Sequence, residues 1–149
     1  MKILIFTLNN HRYSVLLSAA ERVLRMVEIT PLPNAPDMVL GIINMHGTII
    51  PVFNIRNRFG LPEHEFGIHD QLIIAHTNRR KVALAVESVE GIMELTEKPV
   101  SGTEVLPSTP YINTIVKLSE GITLVIDLDG FLSLHEENAL LDAISQRSE

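Results

Sequence analysis

Gly41-Ile-Ile-Asn-Met-His-Gly-Thr-Ile-Ile-Pro-Val-Phe-Asn-Ile55 is the stretch that decides how this chain folds. Two apolar, β-branched runs flank His46-Gly47. That is the pattern of two strands joined by a tight turn, with Gly47 suited to positive φ. Apolar residues fall at consecutive positions rather than only at alternate ones. Both faces of the hairpin are therefore expected to be buried, as in the wall of a small barrel or beneath a partner.

Upstream stand Pro31, Pro33 and Pro36. Each lacks an amide donor, so this segment cannot continue a central strand and reads as an ordered connector. Before it, Lys2 to Leu8 and Tyr13 to Leu17 read as a hairpin around Asn9-Asn10-His11. Ser18-Ala19-Ala20-Glu21 has the capping-box spacing and predicts one helical turn, followed by a strand over Val23 to Ile29. Downstream, Ile55 to Phe59 predicts a short helix stopped by Gly60 and Pro62. A polar loop follows over Glu63 to Asp70. Gln71 to His76 and Lys81 to Glu87 then form a hairpin around Asn78-Arg79-Arg80, which Val89 to Leu95 extends. Glu97 to Tyr111 carries Pro99, Gly102, Pro107 and Pro110 and reads as a long loop. Ile112 to Leu118 pairs with Ile122 to Leu128 across Ser119-Glu120-Gly121.

The period changes at the end of the chain. Leu140, Ala143 and Ile144 recur at helical spacing, and Ser133 with Glu136 fits the capping box, so a helix is expected from about Leu134 to Gln146. The pattern amounts to about nine or ten short strands with regular turn signals, a mainly β chain of sandwich or small-barrel type. At 149 residues it reads as a single domain over 1–149, or two small intertwined halves.

Composition narrows the function. Apolar residues make up 46% and charged residues 20%, which is globular rather than disordered. Without Trp and with few aromatics, the core must be built from Ile, Val and Leu, which favours strands. The net charge of −6 offers no basic face for nucleic acid or for anionic membrane. Arg79-Arg80-Lys81 is the one dense basic run and reads as a solvated turn. The absence of cysteine excludes disulfides, Cys-based zinc sites and Cys nucleophiles, and fits a reducing cytoplasm. No apolar run approaches the ~18 residues of a membrane span. The N-terminus turns polar at Asn9-Asn10 and is not read as a signal peptide. The expectation is a cytoplasmic protein without membrane insertion.

Signs of catalysis are lacking. The glycines are scattered, so no Gly-rich loop cradles a phosphate. No Ser sits in a nucleophile elbow, and no carboxylate pair has acid–base spacing. The chain is expected to be no enzyme and to need no cofactor. Glu63, His64, Glu65, His69 and Asp70 place five possible ligands within eight residues, but Gly67 between the histidines favours a solvated polar loop over a metal site. Asp127-Leu-Asp-Gly130 reads as a turn into the last helix, not a calcium loop. His11, His76 and His135 stand alone.

The order of these features resembles the CheW-like chemotaxis coupling proteins. Ile29-Thr-Pro-Leu-Pro33, Asn34-Ala-Pro36, Val39-Leu-Gly-Ile-Ile-Asn44, Gly47-Thr-Ile-Ile-Pro51, Asn54-Ile-Arg56 and Phe59-Gly60 are similar to the central block of that family. Ala85-Val86-Glu87-Ser88-Val89 and Val125-Ile-Asp-Leu128 with Phe131-Leu132 are similar to its later strands. The resemblance implies two intertwined, five-stranded SH3-like barrels, a short helix after each half and a C-terminal helix. It implies a non-catalytic adaptor that joins the regulatory domain of a CheA-type histidine kinase to the cytoplasmic tip of a chemoreceptor. Arg22, Asn44, His46, Gly47 and Val86 fall at the positions expected to bind partners.

The chain also departs from the family. His46 stands where the family has Arg. Arg22 stands where an ungapped comparison puts Glu, with Glu21 one residue early. Arg22 and His46 would not attract each other, so the family's polar contact is expected to have been rebuilt. Glu87 and Asn54 each replace an Asp. The changes at Arg22 and His46 motivate a second reading, a diverged module of a non-chemotaxis or orphan signalling system that binds only one of the two partners. The third reading, of a different class, is a small metal-binding protein using the Glu63–Asp70 loop.

Overall fold

A computed structural model describes residues 1–95, 100–101, 111–118 and 121–148. The chain opens with β1 (Lys2–Leu8) and β2 (His11–Leu16), an antiparallel hairpin turned by Asn9 and Asn10, both at positive φ. It then moves to a second sheet. There β3 (Ala20–Arg25), β4 (Val39–Met45), β5 (Thr48–Phe53), β6 (Gln71–His76) and β7 (Lys81–Val86) stand in the order β3-β6-β7-β5-β4. Finally β8 (Ser88–Glu94), β9 (Val100–Ser101), β10 (Ile112–Leu118) and β11 (Gly121–Ile126) return to the first sheet, giving the order β8-β1-β2-β11-β10-β9. The helix α1 (Leu134–Ser148) ends the described chain.

The mainly β architecture with a C-terminal helix matches the expectation. Each sheet has five strands of six or seven residues, and the first gains a sixth, the two-residue β9, inside the segment expected to be loop. Residues 97–99 and 102–110 of that loop, and the turn residues 119–120, lie outside the described residues.

Period-2 alternation explains the consecutive apolar residues. Leu4, Phe6 and Leu8 of β1, Ile73 and Ala75 of β6, and Val82, Leu84 and Val86 of β7 join one cluster lying between the sheets, together with Leu140 and Ala143 of α1. Their neighbours turn to the opposite faces. Ile3 and Ile5 pack with Val116, Leu118 and Val125 in a second cluster. Leu72, Ile74, Ala83 and Ala85 pack with Ile43, Ile50 and Val52 in a third. Successive side chains on a strand point to opposite faces, so a strand with core on both sides reads as an unbroken apolar run.

Several local expectations are corrected. The strand expected over Val23 to Ile29 is β3, four residues shorter at its end and three longer at its start. Beyond Arg25 the chain leaves β6 and crosses to β4, where Thr30 and Ile42 exchange both backbone hydrogen bonds, 2.9 and 2.8 Å. That bridge closes the second sheet on itself. Gly41 makes it possible: a Cβ there would lie 2.2 Å from the Thr30 carbonyl oxygen. The turn expected at Ser18 is a 3-10 turn over Leu17–Ala19 without a side-chain cap, because Glu21 belongs to β3 and turns to Lys81. The helix expected after Ile55 is likewise a 3-10 turn, Ile55–Asn57. A third such turn, Leu128–Gly130, follows β11, with the Asp127 side chain accepting from the Asp129 N–H as a turn residue should. The capping box at Ser133 and Glu136 forms reciprocally, at 3.1 Å each way.

The segment expected to extend the β6–β7 hairpin instead changes sheet. β8 pairs antiparallel with β1, and the crossing takes one residue, Glu87. Its N–H donates to the Thr7 carbonyl at 3.2 Å.

Candidate functional site

The β4–β5 turn is built as the sequence demands. Met45 faces Thr48 across a two-residue loop, and His46 and Gly47 have φ of 52° and 87°. Positive φ at both central residues is the type I′ geometry that matches strand twist. His tolerates it better than most non-glycine residues. Asn44 Oδ1 accepts the Gly47 N–H at 2.9 Å, which ties the tip to its own strand. Asn44, His46, Gly47, Thr48 and Ile49 are all exposed, so the hairpin that is buried at its root presents a fixed polar and apolar tip to solvent.

Arg22 lies on β3, exposed, at a register shift between Ala20 and Arg22. Such a bulge sets two residues opposite one and is how a strand absorbs an extra residue. Glu21, the residue that precedes Arg22 here, reaches Lys81 at 3.3 Å and His76 at 3.9 Å. Among the described residues neither Arg22 nor His46 has a hydrogen-bond or ion-pair partner for its side chain. The acidic group at this end of β3 is therefore engaged with β6 and β7 rather than with the hairpin tip.

Val86 requires a correction. It is 0% exposed and packs in the cluster between the sheets, so a docking partner does not reach its side chain. Its neighbour Glu87 holds the polar centre of the junction. The Glu87 carboxylate accepts from the Asn9 N–H at 2.8 Å and pairs with the guanidinium of Arg56, which is 3% exposed. Arg56 Nε also donates to the Pro62 carbonyl at 2.9 Å. Burial alone would raise the Glu87 pKa, but the Asn9 N–H and Arg56 together hold it below the ordinary carboxylate value. Burial raises the pKa of the nearby Tyr13 phenol, against the pull of Arg56.

The basic turn also differs from expectation. Arg80 is not a solvated residue. Its guanidinium reaches Glu137 of α1 at 2.8 Å. Arg58, which the sequence did not single out, donates to the Phe131 carbonyl at 2.9 Å and to both oxygens of Glu136 at 2.6 and 2.7 Å. Burial would raise the Glu136 pKa, but the Ser133 N–H and Arg58 keep it low. Around this clamp stand four rings, Tyr13, Phe59, Tyr111 and Phe131, with neighbouring centroids 4.7–6.5 Å apart.

In the Glu63–Asp70 loop, Asp70 is buried, accepts the Gly67 N–H at 2.7 Å and faces His64 Nε2 at 3.1 Å. Glu63, Glu65 and His69 stand exposed. Among the described residues no three His, Asp or Glu side chains come together in a way that could hold a metal ion. No described helix is long and apolar enough to cross a membrane.

Comparison with known proteins gives a consistent pattern. The family model of the CheW-like domain matches residues 2–136. A chemotaxis protein CheW from Klebsiella aerogenes is 27% identical over 146 residues, covering 96% of this chain and 87% of that protein. The CheW of Bacillus subtilis is 24% identical over 147 residues, covering 99% and 90%. The crystal structure of the scaffolding protein TtCheW from Thermoanaerobacter tengcongensis superposes with a TM-score of 0.82 at 26% identity, covering 91% of this chain and 94% of the other.

Proposed function

The chain belongs to the CheW-like domain family, and from that premise we propose that it is a non-catalytic adaptor in the cytoplasm, coupling chemoreceptors to a histidine kinase. The observation that carries this reading is the match to a scaffolding protein over 91% of this chain at a TM-score of 0.82. On this reading the hairpin tip, with Asn44, His46 and Gly47, and the exposed Arg22 on β3 form partner-binding surface. The buried hairpin root holds that surface in place. Preorganised surface limits the ordering cost of association. Contacts of this kind bind at about the micromolar level singly, and repetition in an array multiplies them.

The test is calorimetric titration of the purified chain, separately, with the kinase regulatory domain and the receptor cytoplasmic tip of the same organism. Binding to both is expected. A well-folded sample that binds neither would overturn the proposal.

The second reading, a diverged module that binds one partner alone, is favoured by one observation. Neither Arg22 nor His46, which stand where the resemblance implies a pair of opposite charge, has a side-chain partner among the described residues. Binding to the kinase domain without binding to the receptor tip would select it. Restoring Glu at position 22 and Arg at position 46 should then recover the missing partner, and no recovery would argue against this account.

A further inference from the structure

The links between α1 and the sheets are unevenly placed. Glu136 is gripped by Arg58, Glu137 by Arg80, and Ser133 and Glu136 cap each other, so every one of these polar links falls within the first turn. Next to it, Asp129 accepts the Asn78 N–H at 2.8 Å, fastening the approach to the helix to the β6–β7 turn. Beyond Glu137 the described contacts with the sheets include a buried apolar face. Leu140 and Ala143 are buried in the cluster between the sheets, with Ile144 half-buried beside them, while Leu134 and Leu141 face solvent. The strands are held differently, since β1, β6 and β7 bury side chains on both faces and pair on both edges.

A helix of fifteen residues is marginal by itself in water. Its persistence here depends on what fastens it. Two ion pairs at the first turn, each between partly shielded groups, are therefore placed where they hold the whole element down. Acidic side chains there also suit the positive end of the helix dipole.

We infer that α1 is a separately releasable cover over the cluster between the sheets, latched at its first turn by Arg58–Glu136 and Arg80–Glu137, and that it opens as a unit while both sheets stay folded. Local opening of such cooperative pieces, below the free energy of global unfolding, is the general behaviour of weakly anchored terminal elements. Salt screens the more open Arg58–Glu136 pair somewhat and the Arg80–Glu137 pair, whose carboxylate is buried, very little. Opening withdraws Leu140 and Ala143 and leaves apolar surface between the sheets uncovered.

Native-state amide hydrogen exchange on the full chain tests this. The helix amides from Asn138 to Gln146 should exchange at least about tenfold faster than the central amides of β1, β6 and β7. The isosteric pair Glu136→Gln and Glu137→Gln should speed the helix amides about tenfold further and leave the strand amides within about twofold. Raising sodium chloride from about 50 mM to about 500 mM should speed the helix amides in the wild type by no more than about twofold, through the more open Arg58–Glu136 pair, and leave that variant unchanged. A second test guards against a general loss of fold. Arg80→Glu alone should loosen the helix, and Arg80→Glu with Glu137→Arg should restore its protection. Helix and strand amides exchanging together in the wild type, equal acceleration of both sets in the Gln variant, or no recovery in the charge swap would each overturn the inference.

Discussion

The root and the tip of the β4–β5 hairpin are a few residues apart on the same two strands, yet they obey different rules. At the root, Gly41 touches the Thr30 backbone and Ile50, Val52 and Phe53 are buried. At the tip, Asn44, His46, Gly47 and Ile49 face solvent, and the polar contact that organises them is local, from Asn44 to Gly47. Root residues are fixed by the space around them. Tip residues are fixed by backbone conformation and by that one contact, which leaves the side chains of His46 and Ile49 available to a partner. The comparison shows why a largely apolar hairpin can be both barrel wall and docking element.

The contrast can be broken at the root first. Gly41→Ala should cost about 3 kcal/mol or more in urea unfolding, since the added methyl meets a backbone carbonyl rather than a movable side chain. Ile50→Ala should cost about 3 kcal/mol, whereas Ile49→Ala, one residue away on the opposite face, should change stability by no more than about 0.5 kcal/mol. Ile50 is 0% and Ile49 43% exposed, so this pair reads the period-2 alternation directly. Equal losses would mean that the two faces are not what they are described to be.

Just beyond the hairpin root, Glu87→Gln should cost about 2 kcal/mol at neutral pH by leaving the buried Arg56 short of its counter-charge. The sign of its pH dependence follows from a folded-state pKa held below the ordinary value of 4.5. The stability due to the ionised carboxylate is fully present above the unfolded pKa and is lost as pH falls through the folded one. The gap between wild type and variant in urea midpoints should therefore be constant above about pH 5.5 and shrink below about pH 4.5. A gap that does not change with pH would contradict the ion pair.

The tip should give the smallest effects. Gly47→Ala should cost about 1 kcal/mol through its positive φ alone, because nothing lies within contact of the added Cβ. His46→Asn should stabilise by about 0.5 kcal/mol, Asn-Gly being the favoured pair for this turn. Thermal unfolding would register both.

Much of this was legible in the sequence, and the parts that were not share a cause. The β4–β5 hairpin, the strands on either side of Asn78-Arg79-Arg80 and the Ser133–Glu136 cap are written in neighbouring residues, and the structure has them. The position of Glu87 as the crossing between sheets was not legible, because it depends on Asn9 and Arg56, far away in the chain. Arg80 looked solvated because its partner Glu137 is distant in sequence, and Arg58 drew no notice for the same reason. Val86 stood out as a site residue because its motif resembled a family motif, yet its side chain is architecture. That Glu21 turns to Lys81 and His76 was likewise not legible, because those partners lie more than fifty residues away on β6 and β7. A charged residue directly after a buried apolar one at the end of an apolar run, as Arg56 follows Ile55, was the one signal that would have pointed to the junction.

The measurement that bears most directly on the adaptor reading is calorimetry with both partners on two variants of the full chain. One changes the tip and β3 surface, Arg22→Glu with His46→Glu. The other, Ile50→Val, softens the root. The account predicts that the surface variant keeps its melting temperature and loses about tenfold in affinity, about 1.4 kcal/mol, for at least one partner. The root variant should lose stability and keep both affinities. A folded surface variant that binds both partners as tightly as the wild type would contradict the account.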